Sequence, residues 1–388
     1  MVEIYNPYNG IGTVEWDRDA TISGDDVIAH KTDIHFHARG GLNEDHEVID
    51  FLTGDGPCND GHYIDEGDEF TLVMLSTMLQ LSDVDWPWST FDTPRDPTDV
   101  RGGDGVIAFP GREWRENHHL DSLFSTASYP NQGWDPTEGE PESRQDQHEA
   151  TLTDEEYHVE PENGGVSVLA HPVQYEVAPK DYVEFEKWSL EDGMAGTEIY
   201  GRRYGMDDDA VNLWDDLLTY WGPERMIWGF GASDSPSGED AVMGSFLNRY
   251  FQTVLLTDDE FDVEDQAGSR IAVADKMMRG AMFGHRRSEW DPDTDPTPEV
   301  PKVTNVDVDH NAETITLGAH NYKTIEWISK GEVVATGETI DIDPTHVPYV
   351  RAELRTNPDG ETVTQPFAVS TQSGSLGDAT LGDVQIGT

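Results

Sequence analysis

The chain is 388 residues long and carries 78 Asp and Glu against 24 Lys and Arg, a formal net charge of −54. Hydrophobic residues make up 36 %, aromatics among them, which is enough for a packed core and argues against wholesale disorder. The acidity all but excludes nucleic-acid binding through a basic patch. Apolar runs such as Phe70–Leu81 are too short to span a bilayer, so no membrane role is expected, and the lone Cys58 excludes an internal disulfide, a Cys-rich zinc site or an Fe–S cluster.

The acids are spread through every segment, and the basic residues divide into 17 Arg and only 7 Lys. Such a surface repels itself where charges are screened over about 10 Å, but stays hydrated in molar salt, where screening shortens to about 3 Å. The composition therefore points to a halophilic protein of a high-salt interior. The alternative, a nucleic-acid mimic, would concentrate its charge on one face. The N-terminus lacks the basic start and apolar stretch of a signal peptide, so a cytoplasmic location is expected, with incorporation into a larger particle left open.

Residues 1–30 are polar and turn-rich and read as a lead-in. Residues 31–290 alternate short β-like runs (Thr32–His37, Val106–Phe109, Val166–Ala170, Met226–Phe230) with helix-like stretches (Asp207–Trp221, Val263–Met278), a pattern that favours an α/β layout. Two acidic excursions, Thr93–Gly105 and Pro130–Asn163, interrupt it. Residues 291–301, rich in Asp, Pro and Thr, read as a linker. Alternating strands with turns at Lys330-Gly331 and Asn357-Pro358-Asp359-Gly360 then predict a small all-β sandwich over 302–370, followed by a Gly/Ser/Thr-rich tail over 371–388.

Candidate chemistry gathers at the ends of the β-like runs. In Asp33-Ile34-His35-Phe36-His37 the two histidines, two apart on a strand, share a face and could chelate one cation. Pro110-Gly111-Arg112-Glu113 delivers Glu113 at a strand end, as a bridging carboxylate or as one more loop acid. His171 follows the apolar run Val166–Ala170, where ligation and a capping hydrogen bond weigh about equally. Asp234 follows Met226–Phe230 at the corresponding height.

This ordered set resembles the PHP superfamily, the polymerase and histidinol phosphatase group of metal-dependent phosphoesterases. The matching pieces are Asp33-x-His35-x-His37, the Pro-Gly-x-Glu turn with Glu113 and the following His119-Leu120, Ala170-His171-Pro172, and Ser233-Asp234. One branch with a β-rich C-terminal module is matched further by Asn6-Pro7-Tyr8, His118 through Phe124, Gly196 through Tyr200, and Leu213-Trp214-Asp215. The resemblance implies a distorted (β/α)7 barrel with metals at the C-terminal ends of its strands. It further implies one cation on His35, His37, Glu113 and Asp234, and a second on Glu113, His119 and His171. A third set is depleted, because Val84 and Pro236 stand where the family has histidines.

Two divalent transition metals follow from this resemblance, Zn²⁺ or Mn²⁺ with Fe²⁺ also compatible, since imidazole and carboxylate donors suit them. Cations about 3.5–4 Å apart would activate a water and neutralise a bound phosphate, which implies hydrolysis of a phosphomonoester or small phosphodiester. Arg39, Arg112, Arg115, Arg202 and Arg203 lie beside the ligand motifs and either bind substrate phosphate or balance surface charge. Asp83 is read as orienting a ligand imidazole, and His118 as protonating a leaving group or packing. The competing reading is an inactive barrel serving as a binding or structural module, with a protein partner or a second copy docked through the C-terminal β domain.

Overall fold

The computed structural model describes residues 2–17, 20–37, 71–78, 107–114, 120–124, 166–172, 194–201, 207–236, 249–262, 266–287, 299–356 and 360–371. Short strands β1 (Val2–Tyr5) and β2 (Val14–Glu15) precede the long β3 (Val27–His37). After it come β4 (Leu72–Met78), β5 (Ile107–Trp114), β6 (Leu120–Leu123), β7 (Val166–Leu169) and β8 (Met194–Tyr200). Helix α1 (Asp207–Trp221) leads to β9 (Trp228–Gly231), β10 (Ser235–Pro236) and β11 (Tyr250–Leu256), and helix α2 (Gln266–Arg279) to β12 (Met282–Arg287). The remaining strands are β13 (Lys302–Asp309), β14 (Thr314–His320), β15 (Thr324–Ser329), β16 (Glu332–Thr336), β17 (Thr339–Asp341), β18 (Tyr349–Arg355), β19 (Gly360–Thr364) and β20 (Phe367–Thr371).

Strands β3, β4 and β5 run parallel, β6 lies antiparallel between β5 and β7, and β7, β8 and β9 are again parallel. The chain leaving β9 returns as β10 to pair with β3, Ser235 opposite Phe36 and Pro236 opposite His37. The sheet therefore curls, and it draws the C-terminal ends of β3, β7, β8 and β9 towards one another. Along its first half β3 pairs antiparallel with β11, which passes the ladder to β12, then β19, β18, β15 and β16. Strand β1 pairs with β20, so the first residues of the chain are woven into its last strands. Strands β13, β14 and β17 form a separate three-stranded sheet.

This architecture corrects the expected distorted (β/α)7 barrel followed by a small sandwich. Strands dominate, the curled sheet forms a half-barrel, and among the described residues there are two α-helices. The physical reason lies in strand direction. Apolar runs between long connections were expected to be parallel strands with helical crossovers, but β6, β11 and β12 are antiparallel to their neighbours and require no such crossover. The ladder also crosses from β12 to β19, so the C-terminal strands continue the sheet instead of standing apart from it.

Both helices follow from spacing. In α1 the acids Asp207–Asp209 occupy the first turn, where the helix dipole favours negative charge, and Ala210, Leu213, Trp214, Leu217 and Leu218 form one buried stripe. In α2, Val273, Ala274 and Met277 are buried, while Lys276 and Arg279 occupy the last turn. Gly280 ends α2 at φ +76°, and the next amide, Ala281 N–H, donates back to Lys276 O at 2.9 Å, the six-to-one bond of a Schellman cap.

Among the described residues two apolar clusters result. One gathers Trp214, Leu217, Trp228, Ile199 and Val168 around the two helices and β7–β9. The other joins Val2, Ile4, Tyr8 and Val27 to Trp327, Phe367 and Val369 of the C-terminal strands. Tyr8 links these regions: its hydroxyl donates to Met282 O at 3.0 Å and accepts from Gln365 N–H at 2.7 Å.

Candidate metal centre

The C-terminal half of β3 carries polar side chains into a fully buried position, which costs free energy unless each is paired. Asp33 meets this cost by accepting from Ser233 Oγ at 2.5 Å, from Ser233 N at 3.3 Å and from His35 N at 3.0 Å. It thereby ties the end of β3 to the segment after β9. Beside it, the His35 ring is wholly buried and surrounded by carboxylates. Its Nδ1 lies 2.7 Å from Glu198 Oε1 on β8 and 3.2 Å from Asp121 Oδ2 on β6, and its Nε2 lies 3.6 Å from Asp234 Oδ1. His171, directly beyond β7, stacks on His35 with ring centroids 5.7 Å apart, and its backbone N–H donates to Glu198 Oε2 at 2.6 Å.

The backbone is strained where these groups converge. His171 has φ +27° and Asp234 φ +44°, a left-handed region that residues with a Cβ seldom enter. Outliers of this kind cluster at functional sites, held there by the surrounding structure.

Charge is tightly coupled here. Burial alone would depress His35, but Asp121, Glu198 and Asp234 more than offset it and hold the imidazole well above its ordinary range. Burial would raise Glu198, and His35 reverses the effect and holds its carboxyl below the usual value. For Asp33 burial prevails over its hydrogen bonds and pushes the carboxyl up to about 6.

His35, Asp121 and Glu198 bring donor atoms within 4.8 Å of one another, all from buried side chains, and this triad could hold a metal ion. The donors are nitrogen and carboxylate oxygen, which fits Zn²⁺, Mn²⁺ or Fe²⁺ better than Mg²⁺.

Of the residues singled out from sequence, the fold brings His35, His171 and Asp234 together. His37 ends β3 opposite Ser76 and Pro236. Glu113 and Arg112 lie within β5 and not on a turn beyond it; Glu113 is in register with Asp121 across the β5–β6 pair, and Arg112 with Ser122. Arg39, Asp83, Arg115, His118, His119, Arg202 and Arg203 lie outside the described residues.

Asp121, Glu198, Asp33 and Ser233 enter the centre without having been chosen as site residues. The signal was present for two of them: Leu120-Asp121-Ser122-Leu123 and Thr197-Glu198-Ile199-Tyr200 each set an acid inside an apolar strand, a placement tolerated only beside a partner. No protein-family model matches the chain, and no curated protein matches it.

Proposed function

We propose that the chain is a metal-dependent phosphoesterase hydrolysing a phosphomonoester or small phosphodiester, in a cytoplasm of high ionic strength. The observation that carries this reading is the buried His35 imidazole with three carboxylates from three other segments around it and His171 stacked upon it. The order of motifs shared with PHP phosphoesterases supplies the reaction class. His35, His171 and Asp234 are candidate ligands within the described centre, and His37, Glu113 and His119 complete the two-metal set that the resemblance implies.

A divalent metal held there would supply Lewis acidity, polarising a phosphoryl oxygen and lowering the pKa of an adjacent water. The protein's own part is positional. Asp33 fixes the C-terminal half of β3 against Ser233, and Glu198 fixes His35 against His171, so that donors on β3 and just beyond β7 and β9 keep one geometry. Arg112 and the other arginines named from sequence would meet the phosphate of the substrate.

The inactive-module reading keeps one observation in its favour: Pro236, standing where the related enzymes have a histidine ligand, is built into β10 opposite His37. Hydrolysis of an aryl phosphate in molar KCl with added Mn²⁺ separates the two readings. Turnover that is lost on chelation and in His35→Ala supports the enzyme; metal uptake without turnover on a broad panel of phosphoesters supports the module.

A further inference from the structure

Two carboxylates approach His35 Nδ1, Glu198 Oε1 at 2.7 Å and Asp121 Oδ2 at 3.2 Å, and it is the shorter, Glu198 contact that points to a shared proton and not a shared cation. Ligand atoms each about 2.0–2.2 Å from one ion stand roughly 3 Å or more apart, whereas His35 Nδ1 and Glu198 Oε1 are 2.7 Å apart, the length of a charge-assisted hydrogen bond. The second oxygen of Glu198 is engaged as well, accepting the His171 amide at 2.6 Å. Both Glu198 oxygens are thus occupied with the two histidine-bearing segments, while the opposite ring nitrogen of His35 faces Asp234 Oδ1.

From this we infer that Glu198 is a positioning residue and not a ligand: it accepts a hydrogen bond from His35 Nδ1–H, which fixes the tautomer and leaves Nε2 as the nitrogen that would meet a metal, and through its other oxygen it holds His171 in its strained conformation. The inference rests on the metal-centre reading above. A histidine whose far nitrogen is bound by a carboxylate is a better and better-aimed ligand, and loss of such a partner typically costs about 10- to 100-fold in metal affinity.

The test is titration of the metal-free full-length chain with Co²⁺, comparing wild type with Glu198→Gln, and reading affinity and the visible ligand-field spectrum separately. The expected result is an unchanged spectrum with about 10- to 100-fold weaker binding, because the first coordination sphere survives while its support is weakened. A spectrum altered as by a lost oxygen donor, or an unchanged affinity, overturns the inference. Should Glu198→Gln fail to fold, histidine ¹⁵N spectra of the Zn²⁺-loaded wild type decide the matter: His35 must carry its proton on Nδ1, and a protonated Nε2 overturns the proposal. A wild-type chain that takes up no Co²⁺ overturns the metal reading itself, an outcome distinct from either of these.

Discussion

Arg351 grips Asp215 through two parallel hydrogen bonds, Nε to Oδ1 at 2.8 Å and Nη2 to Oδ2 at 2.7 Å, with both side chains almost wholly buried. The third arm, Nη1, reaches Glu353 Oε1 at 2.7 Å, the guanidinium lies 4.9 Å from the Trp214 ring centroid, and the Tyr349 hydroxyl donates to Asp215 at 2.7 Å. Helix α1 is thereby fastened to β18. Removing the cation would strand the buried Asp215 carboxylate and leave Glu353 to Arg355 alone, whose Nη2 donates to it at 2.7 Å, so Arg351→Ala is expected to cost about 3–5 kcal/mol, measured by urea unfolding at fixed salt. A cost below about 1 kcal/mol, the range of an exposed pair, would show that the pair is solvated.

The same network sets a pH dependence. Burial would raise Glu353, but Arg351 outweighs it and holds the carboxyl below the ordinary glutamate value of 4.5. Between the lowered value and 4.5 the unfolded chain binds the extra proton, so stability rises with pH through that window. The contribution is fully present above 4.5 and is lost as pH falls through the folded value. Urea midpoints measured across this acid range should decline less steeply for Glu353→Gln than for wild type; parallel curves would assign the acid sensitivity to other carboxylates.

The net charge of −54 predicts a salt requirement. Raising KCl from 0.1 M to above 1 M shortens screening from about 10 Å to about 3 Å and should raise the melting temperature. Thermal melts that do not shift with KCl would sink the reading of the composition as an adaptation to salt.

Gly280 supplies a backbone prediction. A Cβ at this position would lie 2.8 Å from the Trp228 ring, on a residue already at φ +76°. Gly280→Ala should therefore destabilise by about 1–3 kcal/mol through strain and steric conflict together. Chemical denaturation at fixed salt checks it, and an unchanged midpoint would mean that Trp228 yields freely.

Local structure was legible in the sequence where one period dominated. Helix α1 spans Asp207–Trp221, the range its apolar spacing indicates, because Leu213, Leu217 and Leu218 leave only one face to bury. Lys330 and Gly331, both at positive φ, join β15 to β16, as a short turn between alternating runs requires. Strand direction was not legible, since Leu120–Leu123 reads the same whether it lies parallel or antiparallel to Ile107–Trp114, and that ambiguity let a barrel of crossover helices stand in for a curled sheet. At the centre, His35, His171 and Asp234 were visible as polar residues ending apolar runs. Asp121 and Glu198 were harder to see because they sit inside such runs, where only the fold reveals the imidazole that makes their burial tolerable.

A transition metal in the buried cluster around His35 is what the proposed chemistry requires. Elemental analysis of the protein purified in high salt tests it most directly, with His35→Ala and Asp234→Ala prepared alongside. At least one transition metal per wild-type chain is expected, with that content sharply reduced in both variants while their far-UV spectra stay native. A wild-type chain that remains metal-free after exposure to Zn²⁺ and Mn²⁺, or a His35→Ala variant that keeps the full complement, would contradict it.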